Sequence, residues 1–437
     1  MSRWKKTADQ IAKEIREETA LIAAVKEKNE AAVQRLLEAG VSPDAREYNR
    51  CLYYASENYF SPLHYAAENG SPKIVSMLLR RKANQDAKDR YDVTPLHIAA
   101  KHGCAQCVKL LLEAGADCNA ATKHPRPGLF LETEMPYPGG STPLHLAASN
   151  NNVLCAVELI WYGADYNLVD EHGRTSLYVA AEKGYSECVM GHLTNAVRIA
   201  ILSIPVFNSG DTPLHECVRK GMTDCVTELV KLGSDVGHRN VYGLNPLHLA
   251  LRREDFNFDI VKQLVLYGYN VDLDAKDVTG LSPLHYVCFT DSRPQQRRSE
   301  VAAFLIAMGA NPNIYNKNGE SLLISELRQK DPKYDDTILT AIYECTPVLA
   351  PLLKVIEASR CFKNRPAFGR VRRPVGAKYD RYEEIASNPR SLQHLTRCAV
   401  RQAMGHKRIR RTPYLPIPPT LKEYLLFGQE VLPYPYV

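Results

Sequence analysis

The chain has 437 residues, 45% hydrophobic and 24% charged, a balance that excludes a largely disordered protein. Its net charge of +6 is uneven: residues 353–411 carry 16 Lys and Arg against four acids, leaving the first 352 residues at −5. The larger part is thus mildly acidic, which argues against a nucleic-acid binder, whose main domain carries the basic surface.

The first residues, MSRWKKTADQIAKEIREETA, are too charged for a secretory signal. No apolar stretch reaches the roughly 18 residues of a membrane helix; the nearest, Val197 to Phe207, is too short. A cytoplasmic location, extending to the nucleus, is expected, with the 12 cysteines mostly reduced.

One heptapeptide recurs along the chain. SPLHYAA starts at Ser61, TPLHIAA at Thr94, TPLHLAA at Thr142, TSLYVAA at Thr175, TPLHECV at Thr212, NPLHLAL at Asn245 and SPLHYVC at Ser282. The spacings are 33, 48, 33, 37, 33 and 37 residues, so three equal 33 and three add an insertion. A weaker copy, TALIAAV, starts at Thr19, and an eroded one, SLLISEL, at Ser321, giving nine units with degenerate ends. In each unit Ser or Thr caps a first helix and Pro follows where a missing N–H is tolerated. Leu and a pair of small residues pack that helix closely. A second helix carries an apolar run such as VKLLLEAG from Val108 to Gly115. Gly115 and Gly233 sit where a left-handed C-terminal cap is wanted. This pattern resembles ankyrin repeats over residues 19–330. The resemblance implies an all-α solenoid of about nine helix-turn-helix repeats joined by hairpin loops, a scaffold for binding protein.

The repeat absorbs the residues that look most chemical. His64, His97, His145, His215, His248 and His285 all hold its fourth position, so each is expected to bond neighbouring turns. Cys107, Cys155, Cys188 and Cys225 all hold its fourteenth position and are expected to be small apolar core residues. Cys104 and Cys107 form half a zinc motif without the second pair. No phosphate loop, nucleophile elbow or HExxH occurs. Neither catalysis, nor a cofactor, nor a metal is expected.

Two insertions stand out. Arg46 to Phe60 contains Tyr48, Tyr53, Tyr54, Tyr59 and Phe60, and Ala120 to Gly140 contains Phe130. Aromatic rings on loops either anchor a protein partner or fold down onto the stack, and the sequence leaves both open. Tyr53, Tyr54, Tyr59, Phe60, Tyr91 and Phe130 are the candidates for target contact. Arg90, Glu171, His172 and Tyr242 are further ones at hairpin tips.

The organisation expected is a capping helix over 1–18, repeats over 19–330, a helical cap and basic linker over 331–386, a compact unit over 387–430 and a tail over 431–437. In the compact unit Ser391 offers an N-cap, and Leu392, Leu395, Val400 and Met404 recur at helical spacing. A Pro-fixed segment follows, Leu415-Pro416-Ile417-Pro418, then Leu421, Tyr424 and Leu425 on one side of a short helix. These residues resemble a SOCS box, and the whole chain is similar to the ankyrin repeat and SOCS box family.

That resemblance implies a small three-helix SOCS box in which Leu392, Leu395, Thr396 and Val400 bind elongin C. Thr396 stands where the family carries Cys and adds a hydroxyl that needs a partner if buried. It implies that Leu415, Pro416, Ile417, Pro418, Leu421, Tyr424 and Leu425 bind a cullin, the Leu-Pro-Ile-Pro form resembling boxes that select cullin-5 with its RING-box subunit. The chain would then be a non-catalytic substrate receptor of an elongin B/C–cullin–RING ubiquitin ligase, directing a target to ubiquitination and proteasomal degradation. The rival expectation is an ankyrin adaptor whose last helices only cap the stack.

Overall fold

A computed structural model describes residues 8–45, 60–124, 137–195, 202–252, 257–289, 295–312 and 314–317. Two compact units emerge, Met1–Leu232 and Gly233–Val437. The first holds helices α1 (Ala8–Lys26), α2 (Glu30–Glu38), α3 (Pro62–Glu68), α4 (Pro72–Arg80), α5 (Pro95–His102), α6 (Ala105–Glu113), α7 (Pro143–Ser149), α8 (Val153–Trp161), α9 (Ser176–Lys183), α10 (Ser186–Asn195), α11 (Pro213–Lys220) and α12 (Thr223–Lys231). The second holds α13 (Pro246–Arg252), α14 (Phe258–Tyr267), α15 (Pro283–Phe289) and α16 (Gln295–Ala307). No strand forms among the described residues, only two isolated bridges, and no helix among them is long and apolar enough to cross a membrane. The ankyrin-repeat solenoid read from the heptapeptide is the fold.

The described helices make eight pairs; the ninth unit, from Ser321, and the SOCS box lie outside the described residues. Each first helix opens as the sequence dictates. Ser61, Thr94, Thr142 and Thr212 take extended backbone at the N-cap, with Pro at the next position. Each also closes a reciprocal capping box with the histidine three residues on. Several second helices close on a left-handed glycine, whereas α4 closes on Lys82 at φ +60. After α6, Gly115 takes φ +86, its N–H donates to Leu112 O at 3.0 Å and the Ala116 N–H to Leu111 O at 3.0 Å, the Schellman pattern. Gly233, at φ +90, also takes the left-handed conformation expected of it.

The repeat's small residues let neighbouring helices approach. Leu96, Ala99 and Ala100 of α5 and Val108 and Leu111 of α6 are wholly buried, as are their counterparts in the flanking pairs. Cys107, Cys155, Cys188 and Cys225 are buried too, as small apolar groups in successive second helices.

The N-terminus differs from expectation. A capping helix is expected over 1–18 and a first repeat helix from Thr19; from Ala8, where the described residues begin, the two stretches form one helix, α1. Thr19 caps nothing: its hydroxyl donates to Ile15 O at 2.7 Å inside the helix. No Gly or Pro separates the two segments, so nothing stops the helix. The core of the repeat is nevertheless present, with Leu21, Ile22, Ala24 and Val25 buried.

Candidate protein-binding surface

The repeat histidines build the scaffold that carries the surface. In His64, His97 and His145, Nδ1 accepts the backbone N–H of the capping Ser or Thr. The proton therefore sits on Nε2, which reaches the next repeat at Val93 O (3.0 Å), Ser141 O (3.1 Å) and Arg174 O (2.9 Å). His248 does the same between Asn245 and Leu281 O. Burial holds His97 and His248 down at about 4 and lowers His145, so they are neutral donors at pH 7. They bond neighbouring turns, as their position in the repeat implies.

A second set of inter-repeat bonds had no advance notice. The side-chain oxygens of Asp44, Asp86, Asn119 and Asp274 accept the backbone N–H of Asn84, Asp117, Asp165 and Asn311, each in the following repeat, at 2.7–2.9 Å. The signal was an Asx six or seven residues past the second helices α2, α4, α6 and α14, which reads as an ordinary solvated turn.

Each hairpin is a local device. The Oδ1 of Asp89, Asp170, Asn240 and Asp277 accepts two backbone N–H groups, from residues two and four further on. The turn needs a left-handed residue, supplied by Gly173, Gly243 and Gly280 but by Asp92 in the earlier hairpin. Single backbone bonds then tie successive tips: Lys123 N–H to Tyr91 O (2.9 Å), Glu171 to Gly139 (2.8 Å) and Phe207 to His172 (3.2 Å) in the first unit. In the second unit Val278 bonds to Tyr242 (3.0 Å) and Lys317 to Thr279 (3.4 Å). Within each unit the tips are braced in this way; Phe207 is 67% exposed at a tip of the first and Tyr242 60% at a tip of the second.

The first-helix face between α9 and α11 carries a polar network. Tyr178 replaces the repeat histidine. Its hydroxyl donates to Glu216 Oε1 at 3.0 Å, bridging to the next repeat. Arg219 donates to the same carboxylate and, at 2.8 Å, to Asp211 Oδ2. Burial and the Glu216 charge push the Tyr178 hydroxyl up. Nearby, Arg174 pairs with Asp170 at 2.8 Å and Glu182 at 3.0 Å. Tyr178, Asp170, Asp211 and Glu216 are buried, and Arg174, Glu182 and Arg219 carry the outer side of the network. Charged groups stand together here, and they are mutually paired.

Of the residues expected to touch a target, Phe60 folds down. It stacks on His64 with centroids 5.0 Å apart and meets Tyr65 edge-on at 5.4 Å. Tyr91 stays at its tip, its ring 4.4 Å beneath the Arg90 guanidinium, which also bonds its hydroxyl. Tyr137, ending the second insertion, lies against Lys101. Tyr53, Tyr54, Tyr59 and Phe130 lie outside the described residues. So do the elongin candidates Leu392, Leu395, Thr396 and Val400 and the cullin candidates Leu415, Pro416, Ile417, Pro418, Leu421, Tyr424 and Leu425. Among the described residues no cluster of His, Cys, Asp and Glu could hold a metal.

The ankyrin repeats (3 copies) family model matches residues 52–122 and, in overlapping placements, 129–316, which is more than half the chain. A second ankyrin model matches 21–79. The SOCS box model matches 388–426. Ankyrin repeat and SOCS box protein 16 of Mus musculus is 26% identical over 50% of this chain and 52% of its own. Its Homo sapiens counterpart is 25% identical over 53% and 55%. The chain thus spans about half the length of these curated relatives in the matched region. The crystal structure of the ankyrin repeat domain of Bcl-3 aligns at 27% identity over 56% of this chain and 97% of that one, with a TM-score of 0.44. The chain belongs to the ankyrin-repeat family and joins to its repeats a SOCS box, the architecture of the ankyrin repeat and SOCS box proteins.

Proposed function

We propose that the chain is the substrate-recognition subunit of an elongin B/C–cullin–RING ubiquitin ligase. The observation that carries this is the pairing, in one chain, of a repeat stack over 52–316 with a SOCS box over 388–426. The repeats hold the target through the hairpin tips and the polar face beside them. The box, spanning 387–430, docks the chain: Leu392 enters the elongin C pocket, with Leu395, Thr396 and Val400 along the same helix. Leu415 to Pro418, with Leu421, Tyr424 and Leu425, meets the cullin. The Leu-Pro-Ile-Pro run favours cullin-5 with its RING-box subunit, in the cytoplasm or nucleus. The chain itself does no chemistry. It raises the local concentration of the target's lysines beside a ubiquitin thioester, and the ubiquitinated target is degraded.

Capture of the full chain with elongin B/C and cullin-5 tests the assignment. Leu392→Pro breaks the first box helix and is expected to lose elongin B/C and cullin together. Leu415→Ala with Pro416→Ala is expected to lose the cullin and keep elongin B/C. If both variants still bring down all three proteins, the box assignment is wrong. If the unaltered chain brings down none, it is an ankyrin adaptor whose last segment serves another purpose.

A further inference from the structure

Cys104 and Cys107 take no part in the hairpin tips, and only Cys107 belongs to the buried cysteine column. At the start of α6, Cys104 is the N-cap, with φ −82 and ψ 81, and Cys107 is the third helical residue. The Cys104 sulfur is part-exposed and accepts the Cys107 N–H at 3.3 Å, which draws it over the open end of the helix. The backbone N–H groups of Gln106 and Cys107, with the helix dipole, favour a thiolate there. Cys107 is wholly buried. The other buried cysteines lack this arrangement: Asn152 and Met222 hold the cap positions before Cys155 and Cys225. The column is packing, and Cys104 is an addition to it.

A bond between the two sulfurs needs a contraction of the turn that carries them. Residues three apart at a helix surface place their Cβ atoms about 5–6 Å apart, and a disulfide needs about 3.5–4.5 Å. The contraction is confined to one turn that starts at Gly103, a left-handed residue at φ +78. Room exists on the preceding repeat as well, where Gly70 faces Cys104 without a side chain. We propose that Cys104 and Cys107 are a reversible thiol pair, Cys104 the attacking and Cys107 the resolving sulfur, oxidised by a small disulfide such as glutathione disulfide.

The step balances as follows. The Cys104 thiolate attacks one sulfur of glutathione disulfide, forming a mixed disulfide and releasing a glutathione thiolate, which takes a proton. Cys107 gives its proton to solvent and attacks the Cys104 sulfur, closing the internal bond and expelling the second glutathione. Two protein thiols are oxidised and one glutathione disulfide is reduced. Ionisation agrees with this division of labour. A hydrogen bond from the Cys107 thiol holds Cys104 down at about 6, and the same bond with burial pushes Cys107 up.

The full reduced chain is equilibrated in glutathione buffers, quenched with acid, alkylated and digested with trypsin. Cleavage after Lys101 and Lys109 puts both cysteines in one peptide, residues 102–109. The expected product is that peptide two hydrogens lighter, refractory to alkylation and restored by dithiothreitol. Cys104→Ser keeps a good N-cap residue and is expected to leave Cys107 reduced. Cys107→Ser is expected to accumulate the glutathione adduct on Cys104. In the reduced chain at pH 7, Cys104 should alkylate at least about tenfold faster than Cys155 or Cys225, as a part-exposed thiolate must. The proposal is overturned if the unaltered chain accumulates the adduct without closing the internal bond. It is equally overturned if the pair stays reduced in excess glutathione disulfide.

Discussion

Acid will loosen the repeat stack through its buried histidines. In the unit Met1–Leu232, His97 is wholly buried and His192 2% exposed, and burial pushes both down to about 4 from an ordinary 6.5. Each makes its bonds neutral: His97 to Thr94 and Ser141, His192 to Ser176 and the Cys188 carbonyl. A depressed histidine pKa means the unfolded chain binds the extra proton. The stability it confers is complete above pH 6.5 and drains away as pH falls through 6.5 towards 4. One histidine moving from 6.5 to about 4 on folding loses about 2 kcal/mol between pH 7 and pH 5, and two lose about 4. Against a typical total of about 5–15 kcal/mol that is a large share. In urea each histidine corresponds to a midpoint shift of about 1 M, given a slope of about 2 kcal/mol per M. Urea unfolding of the full chain by circular dichroism at pH 7 and pH 5 reads this directly. His97→Gln keeps an N–H donor but cannot take the proton, and should lose about 2 kcal/mol less over that interval. Equal midpoints at the two pH values would refute the reasoning. So would a His97→Gln variant as acid-sensitive as the unaltered chain.

The remaining predictions concern packing, turns and the polar face. Leu111→Ala empties a wholly buried site and should cost about 2–5 kcal/mol in a denaturant titration. Tyr178→Phe removes a hydrogen bond to a buried carboxylate and should cost about 1.5–3 kcal/mol by the same titration, with circular dichroism unchanged. Asp92→Gly relieves a left-handed Asp (φ +60) in a turn that uses glycine in three other hairpins, and should raise stability by about 1 kcal/mol. Gly173→Ala imposes a side chain at φ +76 whose Cβ would stand 2.5 Å from the Phe207 ring. It should lower the melting temperature, and Phe207→Ala in the same chain should recover part of the loss.

The period, the cap residues and the helix-closing glycines were legible because each repeats a local requirement at a fixed offset. The histidines and the cysteine column were legible for the same reason. Thr19 was misread where the period was the only guide: a Thr before an apolar run looks like a cap, but with no breaker ahead of it the helix ran on from Ala8. Phe60 shows the limit on loops. Nothing in the residue type decides between partner and stack; the stacking on His64 does. The Asx bonds between repeats were invisible because acceptor and donor lie 31 to 46 residues apart and each residue alone is an ordinary turn former.

Two departures from the repeat are paired. TSLYVAA lacks the histidine that elsewhere donates to the next repeat, and TPLHECV carries Glu216 where the other copies have Tyr65, Ile98, Leu146, Val179, Leu249 or Tyr286. Either change alone would be harmful. A tyrosine at the histidine position leaves its hydroxyl buried without an acceptor, and a carboxylate in an apolar row is an unpaired buried charge. Together they make one bond, Tyr178 to Glu216, and Arg219 completes the neutralisation while leaving its own outer side in solvent. A Tyr178→His change alone therefore tests the pairing. If Glu216 is held chiefly by Arg219, restoring the repeat residue should be neutral or stabilising. If the tyrosine hydroxyl is the needed partner, the variant should be destabilised at pH 7. Adding Glu216→Leu should then recover stability beyond the sum of the two single changes.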